Sequence, residues 1–188
     1  MISRILTSPQ ETPNALARYY FLRAGVSIAW VIAAFTVGAV NPIVSAVLLI
    51  LYPAWDALAN ARDARDNGGF RANPPQALNT VVSMIVALAV AATLPIDAHL
   101  TLGVFGVWAI LAGLLQLGAG VRRRKVYGAQ WAMILSGGQS ALAGGFMIVR
   151  ALGPTVPTAA SVAPYAAFGA FYFLISAILL TVKNRRRA

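Results

Sequence analysis

Cysteine is absent from this chain of 188 residues, which excludes disulfides, thiolate metal sites and thiol catalysis together. Acidic residues are nearly as scarce. Five Asp and Glu stand against 15 Lys and Arg, so the stock of general acids and bases is small. The single histidine, His99, cannot hold a metal without more ligands than its surroundings provide. No glycine-rich phosphate loop, histidine pair along a helix or carboxylate pair at a membrane face is found, and Gly68-Gly69 belongs to a polar loop. These absences argue against an enzyme and imply no cofactor and no metal.

What the chain has in quantity is apolar sequence. Hydrophobic residues make up 59%, charged residues 11%, and the mean hydropathy is +0.72. A soluble domain of this length could not bury so much apolar surface, and a bilayer removes the need to. A spanning helix takes ~20 mostly apolar residues. Six stretches qualify: 18–39, 43–61, 77–95, 100–121, 129–150 and 163–182. The fold class is therefore all-α, one transmembrane domain over 18–182 between a polar segment, 1–17, and a basic tail, 183–188. Residues 1–17 lack the apolar core and cleavage site of a signal peptide, so the first span is expected to act as its own uncleaved signal.

A net charge of +10 would suggest nucleic acid in a soluble chain. Here the positions of the charges point to a membrane instead. Arg4 and Arg18 precede span one. Arg62, Arg65 and Arg71 separate spans two and three. Arg122, Arg123, Arg124 and Lys125 separate four and five, and Lys183, Arg185, Arg186 and Arg187 close the chain. With six spans all four clusters fall on one side, and the opposite loops carry only Arg150. Lys and Arg resist translocation, so both termini are expected in the cytoplasm. The expected partner is the lipid bilayer, with anionic lipids at the basic loops, and no nucleic acid.

The spans read as three helical hairpins, each turning beside a proline: Pro42, Pro95 and Pro154. Phe105-Gly106 recurs 63 positions later as Phe168-Gly169, with Leu111 over Leu174 and Arg122 over Arg185. The first hairpin fits less well, with Leu51 over Leu111 and Arg62 over Arg122. Hairpin duplication is the expectation. Span five is rich in small residues, and Gly137, Ala141, Gly144 and Gly145 offer a close-packing face. Such a face serves either packing within one monomer or a homo-oligomer.

Few residues inside the spans can do chemistry. Arg23 and Asp56 each sit about six residues from the cytoplasmic end of adjacent antiparallel spans, ~9 Å deep at 1.5 Å per residue. They are expected to form an ion pair, because an unpaired charge at that depth costs several kcal/mol. The pair is either a gate or proton site, or a structural clasp. Ser83, Gln116 and Ser136, with Asn79, lie in the cytoplasmic half, and Gln139 lies near mid-membrane. They form either a polar layer around a vestibule or separate interhelical hydrogen bonds. In an outer loop, Asp97 and His99 form a candidate pH-sensitive pair, or simply polar interface residues.

Three stretches carry a family resemblance: Phe105 to Leu117 ahead of the arginines at 122–124, Leu135 to Gly145 running on to Pro154, and Phe168-Gly169-Ala170 leading to Leu174. The segment from Phe105 to the carboxy terminus resembles the HdeD family of small bacterial membrane proteins, and Leu22-Arg23-Ala24-Gly25 resembles that family's arginine-glycine opening with an alanine interposed. The resemblance implies six spans, residence in the bacterial cytoplasmic (inner) membrane and an association with acid resistance. It supplies no catalytic or ligand-binding residues. The expected function is a non-enzymatic membrane protein of acid or envelope stress. A transporter or channel for protons or a small solute, and a structural or assembly partner, are the alternatives.

Overall fold

The computed structural model describes residues 13–123 and 131–186. Arg4, Arg124, Lys125, Tyr127 and Arg187 lie outside the described residues, as does the side chain of Gln116. The elements are α1 (Pro13–Phe35), α2 (Val37–Val40), α3 (Pro42–Asp66), α4 (Pro74–Thr93), α5 (Ala98–Arg123), α6 (Trp131–Ala151) and α7 (Ala159–Arg185). This is an all-α bundle and a multi-span membrane protein. Five stretches are long and apolar enough to cross a bilayer: Ala17–Val40, Pro42–Asp66, Pro74–Thr93, Ala98–Leu115 and Ala159–Val182. Helix α6, with 21 residues, adds a sixth long apolar helix.

Local chemistry sets the helix ends. The Asn41 side chain accepts from the amides of Ile43 and Val44 at 3.0 and 3.1 Å, and Pro42 occupies the first turn of α3, where its missing amide costs nothing. At the other end of α3, Gly68 and Gly69 adopt φ of 95° and 90°, a conformation that favours glycine. The Gly69 amide then donates back to the Ala64 carbonyl at 2.7 Å. Span one differs from a single rod, because Thr36 interrupts it before the short α2. Helix α7 starts at Ala159, four residues before the expected span, and is capped where the Thr158 amide donates to Ser161 Oγ at 3.2 Å.

The outside of the bundle is apolar. Val40, Ile43, Leu142 and Leu152 are each at least 76% exposed. The most apolar window of each of the five spans buries only 17–39% of its residues, so most of that surface needs lipid around it. Inside, Trp30, Tyr52, Phe105, Trp108 and Tyr165 form a continuous aromatic core. Tyr52 lies at its centre, 4.7 Å from the Trp30 ring centroid, 6.0 Å from Trp108 and 6.3 Å from Tyr165. Tilted and edge-on rings like these are favourable beyond the area they bury.

The most extensive helix contacts are α5 with α6, α1 with α7, and α3 with α4. The pairs joined by proline turns, α4 with α5 and α6 with α7, touch far less. The helices thus pack most closely with the neighbour across the arginine-bearing ends, and the last helix closes the circuit on the first. The two aligned Phe-Gly steps also meet different surroundings: Phe105 is fully buried, while Phe168 is 48% exposed.

Small residues explain the closest of these pairs. A Cβ built on Gly113 would stand 2.5 Å from the Ala141 nitrogen and the Gly137 oxygen, and one on Gly144 would stand 2.5 Å from the Gly106 oxygen. Gly137, Ala141 and Gly144 are therefore spent on α5 of the same chain. Gly145 lies off this face, contrary to expectation, because a Cβ there meets nothing within 4 Å. Gly113→Ala is predicted to destabilise the protein by about 1–3 kcal/mol through backbone overpacking, whereas Gly145→Ala leaves it unchanged. Thermal unfolding of both variants in detergent checks this.

Candidate functional site

Arg23 on α1 and Asp56 on α3 meet in a cluster assembled from four helices. Arg23 donates from one guanidinium nitrogen to Asp56 Oδ1 and from another to the Tyr19 hydroxyl at 3.3 Å. Tyr19 in turn donates to the Ala59 carbonyl at 3.1 Å. The second carboxylate oxygen, Asp56 Oδ2, accepts from Ser83 Oγ of α4 at 2.7 Å and from Asn60 Nδ2 at 3.1 Å. The Phe173 ring of α7 lies 4.3 Å from the guanidinium carbon, a cation–π distance. Side-chain accessibility is 12% for Arg23 and 23% for Asp56.

This geometry answers a local problem. A charge in an apolar layer is tolerable when an opposite charge and hydrogen bonds replace its water. Both Asp56 oxygens are engaged, and the guanidinium has a carboxylate, a phenol and an aromatic face. One buried donor has no partner among the described residues, Arg23 Nε. Sequence reading missed Asn60 and Tyr19, although each stands four residues from a member of the pair and so shares its helix face. Nothing in the sequence pointed to Phe173.

Among the described side chains, the other candidate residues do not join into one layer. Ser83 belongs to the Asp56 cluster. Gln139 is engaged elsewhere, its Oε1 accepting from the Tyr172 hydroxyl at 2.9 Å between α6 and α7. Ser136 is half-buried on α6, and Asn79 is exposed.

At the opposite end, Asp97 sits just before α5. Its Oδ1 accepts from the His99 amide at 2.6 Å and lies 3.1 Å from His99 Nδ1. The carboxylate thus caps the helix, which the Asp-Ala-His spacing permits. The His99 amide, with the His99 ring beyond it, holds the Asp97 carboxyl below its usual value of 3.8.

A pocket of about 440 Å³ opens near the Arg23–Asp56 cluster and is lined by Tyr19 but by neither charged partner. Trp55, Arg62, Arg65 and Phe70 also line it. Arg62 lies 3.6 Å from Asp66, four residues on. Among the described residues, Arg65 has no acidic partner within 4 Å.

Asp56→Asn strands the guanidinium and is expected to cost about 3 kcal/mol, with Arg23→Gln/Asp56→Asn costing less than the sum of the single changes; a double-mutant cycle by thermal unfolding reads the coupling. Asp97→Ala is expected to lower the melting temperature at neutral pH. A depressed folded value means the stabilisation is present above 3.8 and fades as pH falls through the lower folded value. The gap from wild type should therefore close in acid, which melting curves from pH 7 down to strong acid would show.

No protein-family model, curated protein or solved structure matches the chain.

Proposed function

We propose that this chain is a non-enzymatic protein of the bacterial inner membrane that serves acid or envelope stress resistance from within the bilayer, rather than by passing a solute. The observation that carries the second half is the state of Asp56. Its two oxygens are taken by Arg23, Ser83 and Asn60, and the adjacent pocket is lined by neither Arg23 nor Asp56. A proton or solute site needs a carboxylate that can exchange partners with water or cargo; here those positions hold protein donors. In this reading Arg23–Asp56 is a clasp that ties α1 to α3.

The termini lie in the cytoplasm, because the Arg62, Arg65 and Arg71 cluster and the basic ends of α5 and α7 resist translocation. Three related hairpins build the bundle. The stress role rests on the resemblance to the HdeD family carried by the stretches from Phe105 to Leu174.

A second reading, proton or small-solute conduction, has one observation in its favour. Tyr19 both lines the pocket and hydrogen-bonds Arg23, and Arg23 Nε is buried without a partner among the described residues. A rearrangement of Tyr19 would join the pocket to the pair. Proteoliposomes under an imposed pH gradient separate the two readings. The clasp predicts no proton flux above empty liposomes for wild type or Asp56→Asn. The stress role predicts poorer survival of acid challenge in cells lacking the protein, with no flux required. Flux abolished by Asp56→Asn would overturn the clasp in favour of conduction.

A further inference from the structure

The pocket beside α3 has a graded lining that the clasp does not explain. Trp55, Leu58, Arg62 and Arg65 line it together, at spacings of three, four and three residues, so they share one face of α3. From Trp55 to Arg65 that face climbs ~15 Å at 1.5 Å per residue. It runs from an indole through leucine to two guanidinium groups. Leu22 of α1 forms the facing apolar wall, and Gly69 and Phe70 close the basic end. Leu22 and Leu58 are 45% and 61% exposed on the lipid-facing surface of the bundle, so the pocket is open to the bilayer.

The segment that closes the basic end is held in place by its own hydrogen bonds. Asn73 Nδ2 donates to the carbonyls of Asn67 and Gly69 at 2.7 and 3.0 Å. Asp63 accepts from Asn67 Nδ2 at 3.1 Å and from Gln76 Nε2 at 3.0 Å, which directs that carboxylate toward α4. Asp66 engages Arg62. Arg65 therefore meets no competing carboxylate among the described residues. Trp55 contributes the aromatic end of this lining, and its indole N–H is buried without an acceptor among the described residues.

We propose that this groove between α1 and α3 is a binding site for one anionic phospholipid. Its phosphate sits between Arg65 and Arg62, where a planar guanidinium matches phosphate oxygens. The glycerol region lies against the Trp55 ring, and the upper acyl chain lies against Leu22 and Leu58. A soluble anion would satisfy the arginines but would leave the apolar wall of Leu22, Leu58 and Trp55 uncovered. A zwitterionic lipid would cover the wall but brings its own cation against the guanidinium groups. The site rests on the membrane-embedded reading with the α3–α4 loop at the cytoplasmic leaflet, and is independent of any stress role.

Native mass spectrometry of the detergent-solubilised full chain, titrated with phosphatidylglycerol or phosphatidylcholine, tests this. Wild type is expected to keep one phosphatidylglycerol, bound at least tenfold more tightly than phosphatidylcholine. Arg62→Gln/Arg65→Gln is expected to lose roughly tenfold or more in affinity, while Arg185→Gln/Arg186→Gln, an equally cationic control, keeps wild-type binding. Leu58→Trp, which fills the apolar wall and leaves every charge in place, is also expected to weaken binding. Equal retention of both lipids would overturn the proposal, as would equal losses in the two arginine doubles. So would displacement by glycerol phosphate at concentrations matching the lipid, since that would mark a soluble-anion site. None of these outcomes depends on proton flux or acid survival, so the lipid site and the stress reading fail separately.

Discussion

A charged group in an apolar layer must collect its partners from the protein, since the bilayer core supplies none. Asp56 takes a guanidinium from α1, an amide from its own helix and a hydroxyl from α4. Phe173 of α7 covers the cation from the other side. Four helices are thereby brought to one point at one depth. The aromatic core around Tyr52, one turn of α3 away, then fills the space between the same helices. Moving α1 or α3 would disturb both the cluster and the rings.

Away from this point, backbone proximity holds the bundle together. In lipid, apolar side chains gain little by leaving the solvent, so helix pairing depends on van der Waals contact and on surfaces flat enough to allow it. Between α5 and α6, Gly106, Gly113, Gly137 and Gly144 bring main chain against main chain. The proline turns have a different task. They reverse the chain within a few residues and present capped helix starts, as Asn41 does for α3 and Asp97 for α5. A turn that short controls direction, while the facing residues decide which helix becomes the close neighbour. This is why the connected pairs α4–α5 and α6–α7 are the loosely packed ones.

The long apolar helices and most of their ends were legible because apolar run length and proline position are one-dimensional signals. The ion pair was legible for a related reason: two opposite charges at equal depth in a medium with no water have few other partners. The rest of the cluster was not. Asn60 and Tyr19 needed the face of the helix as well as its depth, and Phe173 needed the knowledge that α7 returns to α1. Of the two readings of the polar residues, a shared layer would join those of similar depth, yet depth alone does not say which side of a helix a residue occupies. Ser83 faces Asp56, Gln139 faces Tyr172, and Asn79 turns outward. Gly145 shows the same blindness at a finer scale, one residue from Gly144 and on another face.

The pairing of α1 with α7 bears on how the protein is made. A chain threaded into the membrane from its amino terminus has its first helix in place long before its last. Until α7 arrives, the face of α1 that packs on it meets lipid or some temporary neighbour, and Arg23 lacks the ring of Phe173. Asp56 reaches the membrane only one helix later and can take up the guanidinium early, so the ion pair holds the growing intermediate while its outer wall is missing. A ribosome stalled before Ala159 would leave an open bundle with its polar cluster already joined on three sides. Completion of the bundle, and its handover from the insertion machinery to the bilayer, then waits for α7.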